Sequence, residues 1–362
     1  MRLQRVWLGL LLAMALGSAP SAAPAAAQGG AYGPVSVVIL PKAPGSFDIG
    51  WADPASRRYY VTDRTNASVD VVNTDTDSLV GLIKGFAGAT GKSQTAGPNG
   101  LVAVPDQNQL WVADGDSTVK VVDLAAGAIV AAIPTGGTTR ADELAYDAMH
   151  QLIMVTNDKE DPAYVSFIST TDRSVVGRLA FPDATDGLEQ PVWDPASGLF
   201  YDAVPVTKTN PGGEIDVIDP TSMTVTGVYP LGDCTPHGLA LGPGQQMLVG
   251  CNGGAQKNSI IMTTGGSVVA TITQVGGSDE VWYNPGDNHY YLAANGMTVD
   301  GTKTGALAPA LGVIDASTNQ WMVNVPTVPN AHSVAVDPQT NHIYVPLTNV
   351  GIGVYALKAG SP

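Results

Sequence analysis

Asn330-Ala-His332-Ser-Val334-Ala-Val336-Asp337-Pro338-Gln-Thr-Asn341-His-Ile343-Tyr344-Val345 is the stretch from which the architecture can be read. Val334 and Val336 alternate with small residues, the period of a strand with one packed face. Asp337-Pro338 opens a turn, because proline presets φ and the Asp side chain can accept from the backbone two residues on. Ile343-Tyr344-Val345 is then a second strand, so the stretch predicts a hairpin with a polar lead-in, His332.

The same unit recurs. Its turn appears at Ala52-Asp53-Pro54, Val104-Pro105-Asp106, Tyr146-Asp147, Trp193-Asp194-Pro195, Leu241-Gly242-Pro243, Tyr283-Asn284-Pro285 and Val336-Asp337-Pro338, seven copies spaced 41 to 53 residues apart. An aromatic or β-branched strand follows each, as in Tyr59-Tyr60-Val61 and Leu110-Trp111-Val112. Two further strands come next, for example Ser68–Asn73 and Leu79–Ile83. Four strands per repeat of this length predict an all-β propeller of seven four-stranded blades. The last copy stops one strand short. An unassigned strand, Val35–Leu40, precedes the first copy and is expected to complete the seventh blade and close the ring, which removes two free sheet edges.

Tyr60-Val61-Thr62-Asp63 and Met154-Val155-Thr156-Asn157 resemble the strand that names the YVTN-repeat, YncE-like bacterial propellers. Val217-Ile218-Asp219, Val313-Ile314-Asp315 and the Asp337–Asn341 turn extend that resemblance along the chain. It implies a propeller and no particular reaction, because one fold carries many functions.

Residues 1–27 read as a secretory signal. Arg2 and Arg5 precede an apolar run from Val6 to Leu16, and Ala25-Ala26-Ala27 offers a cleavage site. Residues 28–362 are then a single exported domain, periplasmic or secreted, with no later apolar run of membrane-spanning length. A formal charge of −15 lacks the basic footprint that nucleic acid requires. The composition suits a small-molecule ligand or an exported protein partner, and we expect a monomer. In an oxidising compartment Cys234 and Cys251 are expected to form a disulfide. No C-x-x-C-H haem attachment or phosphate-binding loop occurs, so neither haem nor a nucleotide cofactor is expected.

In a propeller the first strand of each blade lines the central channel, and its start opens on the face carrying the blade-to-blade loops. The long irregular segments fall on that face: Lys84 to Asn99, Pro205 to Gly213, and Asn295 to Leu311. Loops of such length are uncommon without a role. Five residues before each turn stand Asp48, Leu101, Asp142, Glu189, His237, Asp279 and His332, six of the seven ionisable in a chain with only 14% charged residues. Glu143 and Glu280 adjoin it, and strand alternation would let one of each adjacent pair face the channel.

Three readings of this ring compete. One is a wet, polar channel mouth. The second is a divalent metal held by His237, His332, Glu189 and Asp279, since mixed imidazole and carboxylate donors suit transition metals. The third is metal-free acid–base chemistry. Asp48, Asp142, Glu143, Asn99, Lys208 and Lys303 would contact ligand. A metal would support hydrolysis, isomerisation or elimination on a small polar molecule, with Glu189 or Glu280 as the catalytic base. The alternative of another class is a non-catalytic scaffold binding a protein or polymer on the same face. Asp63, Asp114, Asn157, Asn252, Asn295 and Asn349, at the ends of the second strands, are expected to start turns. His150, His289 and His342 belong to the opposite face as structural or exposed residues.

Overall fold

A computed structural model describes residues 31–358, so residues 1–27, expected to be a secretory signal, lie outside the described residues. Seven four-stranded antiparallel sheets form the molecule. Helical structure among the described residues is confined to three short 3-10 turns, and no helix there is long and apolar enough to cross a membrane. This is a seven-bladed all-β propeller. The innermost strands are Phe47–Asp53, Leu101–Val104, Leu144–Asp147, Pro191–Asp194, Pro236–Leu241, Val281–Asn284 and Ala335–Val336, which we number blades 1 to 7.

The N-terminal strand closes the ring, as the incomplete last repeat requires. It runs Tyr32–Val38, slightly earlier than expected, and pairs antiparallel with Gly351–Leu357 as the outer strand of blade 7. Arg57 of blade 1 adds a side-chain clasp to the same junction. Its Nη1 donates to both carboxylate oxygens of Asp337, at 2.9 and 2.7 Å. Tyr59 of blade 1 stacks on Tyr344 of blade 7 with ring centroids 4.7 Å apart.

The repeated Asp-Pro turn has a local cause. Asp53, Asp147, Asp194 and Asp337 each accept hydrogen bonds from backbone N–H groups two or three residues on, such as Met149 N to Asp147 Oδ1 at 2.8 Å. Blades 2 and 5 use a different device, the 3-10 turns Pro105–Gln107 and Pro243–Gln245, in which proline rather than an acid starts the turn. Asp106 therefore lies inside its turn, and Val104 pairs with Gln109 as Asp53 pairs with Arg58. The counterpart of Asp48 in blade 2 is Asn99, not Leu101, which is a buried core residue.

The outer strands are bulged at one repeated place. In blade 1 the register shifts between Val71 and Val72, and the same shift recurs at Val121/Val122, Phe167/Ile168, Val217/Ile218, Ile261/Met262 and Val313/Ile314. A bulge adds twist, and strongly twisted sheets are what pack side by side around an axis. Between blades the apolar faces interdigitate: Tyr291, Val313 and Ala293 of blade 6 pack on Val334, Val336 and Val345 of blade 7.

Candidate functional site

Backbone hydrogen bonds between neighbouring blades tie the channel lining together where the first strands begin. Gly100 N donates to the Asp142 carbonyl at 3.0 Å, Gln190 N to that of His237 at 3.3 Å, and Glu280 N to that of His332 at 3.1 Å. Gly100 and Gly238 are glycines because a Cβ there would stand 2.3 and 2.4 Å from the carbonyl oxygens of Asp142 and Asp279 in the next blade. This lacing places Asp48, Asn99, Asp142, Glu189, His237, Asp279 and His332 around one mouth.

The ring divides into two halves. On blades 1 to 3 two arginines neutralise the acids. Arg64 forms an ion pair with Asp48 and donates to Asn99 Oδ1 at 3.0 and 2.8 Å. Asn99 is fully buried and passes the contact on, its Nδ2 donating to the Ala141 carbonyl at 2.7 Å. Arg140 lies 2.5 Å from Asp142 and 2.8 Å from Asp158. Burial raises the carboxyl of Asp48, but Arg64 and then His332 outweigh it and bring its pKa down to about 2. Burial pushes Asp142 well up, because Arg140 shares its charge with Asp158. Neither arginine entered the sequence reading. Their positions, Arg64 directly after Asp63 and Arg140 two residues before Asp142, are a usable signal in a chain with 17 Lys and Arg.

On blades 4 to 6 no lysine or arginine among the described residues forms an ion pair with the ring acids. Glu189, His237 and Asp279 each present a donor atom, all within 4.8 Å of one another. His237 Nδ1 stands 3.0 Å from Asp279 Oδ1 and 3.4 Å from Glu189 Oε1. The buried Nδ1 is aligned for a hydrogen bond with neither. Burial disfavours a charged His237, yet Glu189 and Asp279 more than offset it and hold its pKa well above the usual value. Asn252, at the end of the blade 5 second strand, reaches Asp279 Oδ1 at 3.4 Å. The Cys234–Cys251 disulfide lies immediately beside His237, since Cys251 pairs with Pro236 in the sheet.

His332, expected beside His237, is placed elsewhere. Its Nε2 is 3.3 Å from Asp48 Oδ1, its Nδ1 is 2.9 Å from the Asn330 carbonyl, and its ring stacks on Phe47 at 5.0 Å. Asp142, Glu143 and Glu280 are buried and Asp279 is half-buried, so neither member of a pair points out to solvent. Alternation does not sort them, because these residues precede the strands Leu144–Asp147 and Val281–Asn284. Asp142 and Asp279 belong to the mouth; Glu143 and Glu280, one residue further along each chain, are buried.

Lys208 donates to the Pro182 carbonyl at 2.5 Å, and Lys303 is an exposed loop residue whose N–H donates to the Ala255 carbonyl. Neither makes a hydrogen bond or ion pair with a ring side chain among the described residues. The second-strand ends are more varied than turn starters. Asp63 accepts from Asn66 N at 3.0 Å, but Asp114 accepts from Ala87 N at 3.1 Å and pairs with buried Lys120. On the opposite face His150 contacts Asp147 at 2.6 Å, His289 contacts the Tyr32 hydroxyl at 2.9 Å and His342 contacts Asp77 at 3.1 Å.

The fold and the ring define a propeller with a polar, two-part channel mouth. No family model and no curated protein matches the sequence. Solved structures do match in shape. A chain of Kuenenia stuttgartiensis hydrazine synthase aligns with a TM-score of 0.68 at 15% identity, covering 90% of this chain and 99% of that one. A chain of a mitotic checkpoint complex aligns with a TM-score of 0.69 at 13% identity, covering 97% of this chain and 100% of that one. At such identities the likeness establishes the propeller fold alone.

Proposed function

We propose that this is an exported propeller of the YVTN-repeat kind that binds a small polar ligand through a divalent metal held by Glu189, His237 and Asp279. One observation carries the reading: three donor atoms converge within 4.8 Å, and His237 Nδ1 is aligned for a hydrogen bond with neither carboxylate. Ligand atoms ~2.1 Å from a shared ion stand about 3.0 Å apart at a right angle and about 3.4 Å apart at a tetrahedral angle. The His237 separations match those edges. Three protein donors leave coordination positions open to a ligand, the arrangement of catalytic rather than structural sites. Glu280, next to Asp279 in the chain, has its pKa raised by burial and by the charges of Asp279 and Asp48, the direction a general acid for hydrolysis, isomerisation or elimination needs.

The test is elemental analysis of gently purified protein, with Zn²⁺ and Mn²⁺ titrated by calorimetry into the metal-depleted form. A single site lost in His237→Ala supports the proposal. No stoichiometric metal and no saturable site sinks it.

A second reading, a non-catalytic scaffold using the same face, has its own support. The Arg64–Asp48–Asn99 and Arg140–Asp142–Asp158 networks are internally satisfied and leave half of the ring without free ligating groups. Saturable metal binding at His237 separates the two.

A further inference from the structure

The channel has a second mouth, on the turn face, and its chemistry is unlike that of the first. A cavity of about 550 Å³ opens there, within the range that holds small organic ligands. Three indoles line it, Trp51 from blade 1, Trp193 from blade 4 and Trp282 from blade 6, each only partly buried. Trp51 and Trp282 meet edge to face, ring centroids 5.2 Å apart, so one presents its edge to the other's face and neither collapses into the opening. An indole left half-buried against an empty apolar space forgoes much of what its burial would contribute.

Glu143 lies at the inner end of this cavity. It is 6% exposed and is part of the cavity lining. Glu280, on the neighbouring part of the channel wall, is 5% exposed. Among the described residues neither carboxyl has a lysine, arginine or histidine within ion-pair distance, although Arg64 and Arg140 serve Asp48 and Asp142 in the adjoining mouth. Two buried carboxyls without a cation are costly when charged, and a proton or a bound positive group must compensate. A closed apolar wall would have needed no glutamate at its base.

We propose that the turn-face cavity binds a monovalent organic cation with an apolar body, a substituted ammonium whose charge rests on Glu143 and whose alkyl or aryl groups lie against Trp51, Trp193 and Trp282. Indole faces attract cations through the ring quadrupole, and the attraction grows once water is removed. Glu143 supplies the counter-charge, since Asp53, the other acid of the lining, is engaged by the backbone N–H groups of its turn. An inorganic ion would leave the indoles unused, and a neutral molecule would leave Glu143 with a proton as its only compensation. A chain of formal charge −15 also favours arrival of cations over anions.

The cavity lining shares no residue with the Glu189–His237–Asp279 cluster, so loss of metal binding and loss of ammonium binding are read separately. The probes are benzyltrimethylammonium, neutral benzyl alcohol and anionic phenylacetate, titrated by calorimetry and by tryptophan fluorescence at constant ionic strength. Saturable binding of the ammonium, with either other probe at least about tenfold weaker, is expected. Glu143→Gln and Trp282→Ala should each weaken the ammonium about tenfold or more. Absence of saturation up to roughly 10 mM, equal binding of benzyl alcohol, or an unaffected Glu143→Gln variant would each overturn the proposal. The comparison of probes on the unaltered protein stands even if a variant fails to fold.

Discussion

Arg57 and Asp337 join the first and last blades by a bidentate contact, one guanidinium nitrogen 2.9 and 2.7 Å from the two carboxylate oxygens. Asp337 is 1% exposed and also receives the Gln339 N–H that shapes the blade 7 turn. Arg57→Met therefore leaves a buried carboxylate short of its charge partner at the ring junction. A loss of about 2 kcal/mol is expected in urea unfolding, in the range for removing one partner of a buried ion pair at a partly exposed site. Asp337→Asn should cost less, because the turn acceptor survives. Equal stability of Arg57→Met and the unaltered chain would show that the strand pairing alone closes the ring.

The disulfide encloses a 17-residue span that includes His237. Replacing both cysteines by serine is expected to cost about 3 kcal/mol, as closing a loop of this size restricts the unfolded chain. Amide exchange should quicken first at Pro236–Leu241 and in the strand that follows, with blades 1 to 3 unaffected. Uniform acceleration across all blades would contradict a local role.

Blade 4 carries a pH liability. Asp202 and Asp216 face each other across paired strands, and both oxygens of Asp202 lack a partner. Burial, with Glu214 adding, raises Asp216 to about 7. An Asp whose folded pKa exceeds its unfolded value of ~3.9 stays protonated in the native state while the unfolded chain ionises. Its contribution is whole below pH ~4 and is lost as pH rises toward about 7. Asp216→Asn should thus be more stable than the unaltered protein at neutral pH by about 2 kcal/mol, and the gap should close near pH ~4. A gap independent of pH would rule out this titration. Asp48 acts in the opposite sense: its pKa of about 2 contributes stability above pH ~4 that is lost on acidification toward about 2.

Metal uptake at the mouth must compete with a proton. His237 is held well above its ordinary pKa by Glu189 and Asp279, so binding an ion releases that proton, and apparent Zn²⁺ affinity should rise with pH across the neutral range. His237→Ala should remove the site. His332→Ala, which takes away a residue 3.3 Å from Asp48 rather than a member of the cluster, should weaken it less than about tenfold. Loss of metal from both variants alike would place His332 among the ligands.

The architecture was legible because it is local. A turn such as Asp337-Pro338 is made by the chain within a few residues, and the alternation of Val334 and Val336 marks one packed face. Counting those units determined the seven blades, and the missing last strand determined how the ring closes. The lead-in positions were legible for the same reason, except in blade 2, where a proline-started turn moved the frame by two residues and hid Asn99 behind Leu101.

The partners of those residues depend on contacts between blades far apart in sequence. Asp48 meets His332 across 284 positions, and nothing local in either segment records it. Arg64 and Arg140 come from loops outside the aligned positions, yet they settle which acids are neutralised and which remain free to ligate. The burial of Glu143 and Glu280 likewise follows from the close approach of innermost strands to the axis. The sequence by itself determined the repeat, the ring and the polar mouth. Only the tertiary structure decided that the mouth has two unlike halves and that a second, indole-lined mouth lies beneath it, because side-chain pairing around an axis is a property of all seven blades together.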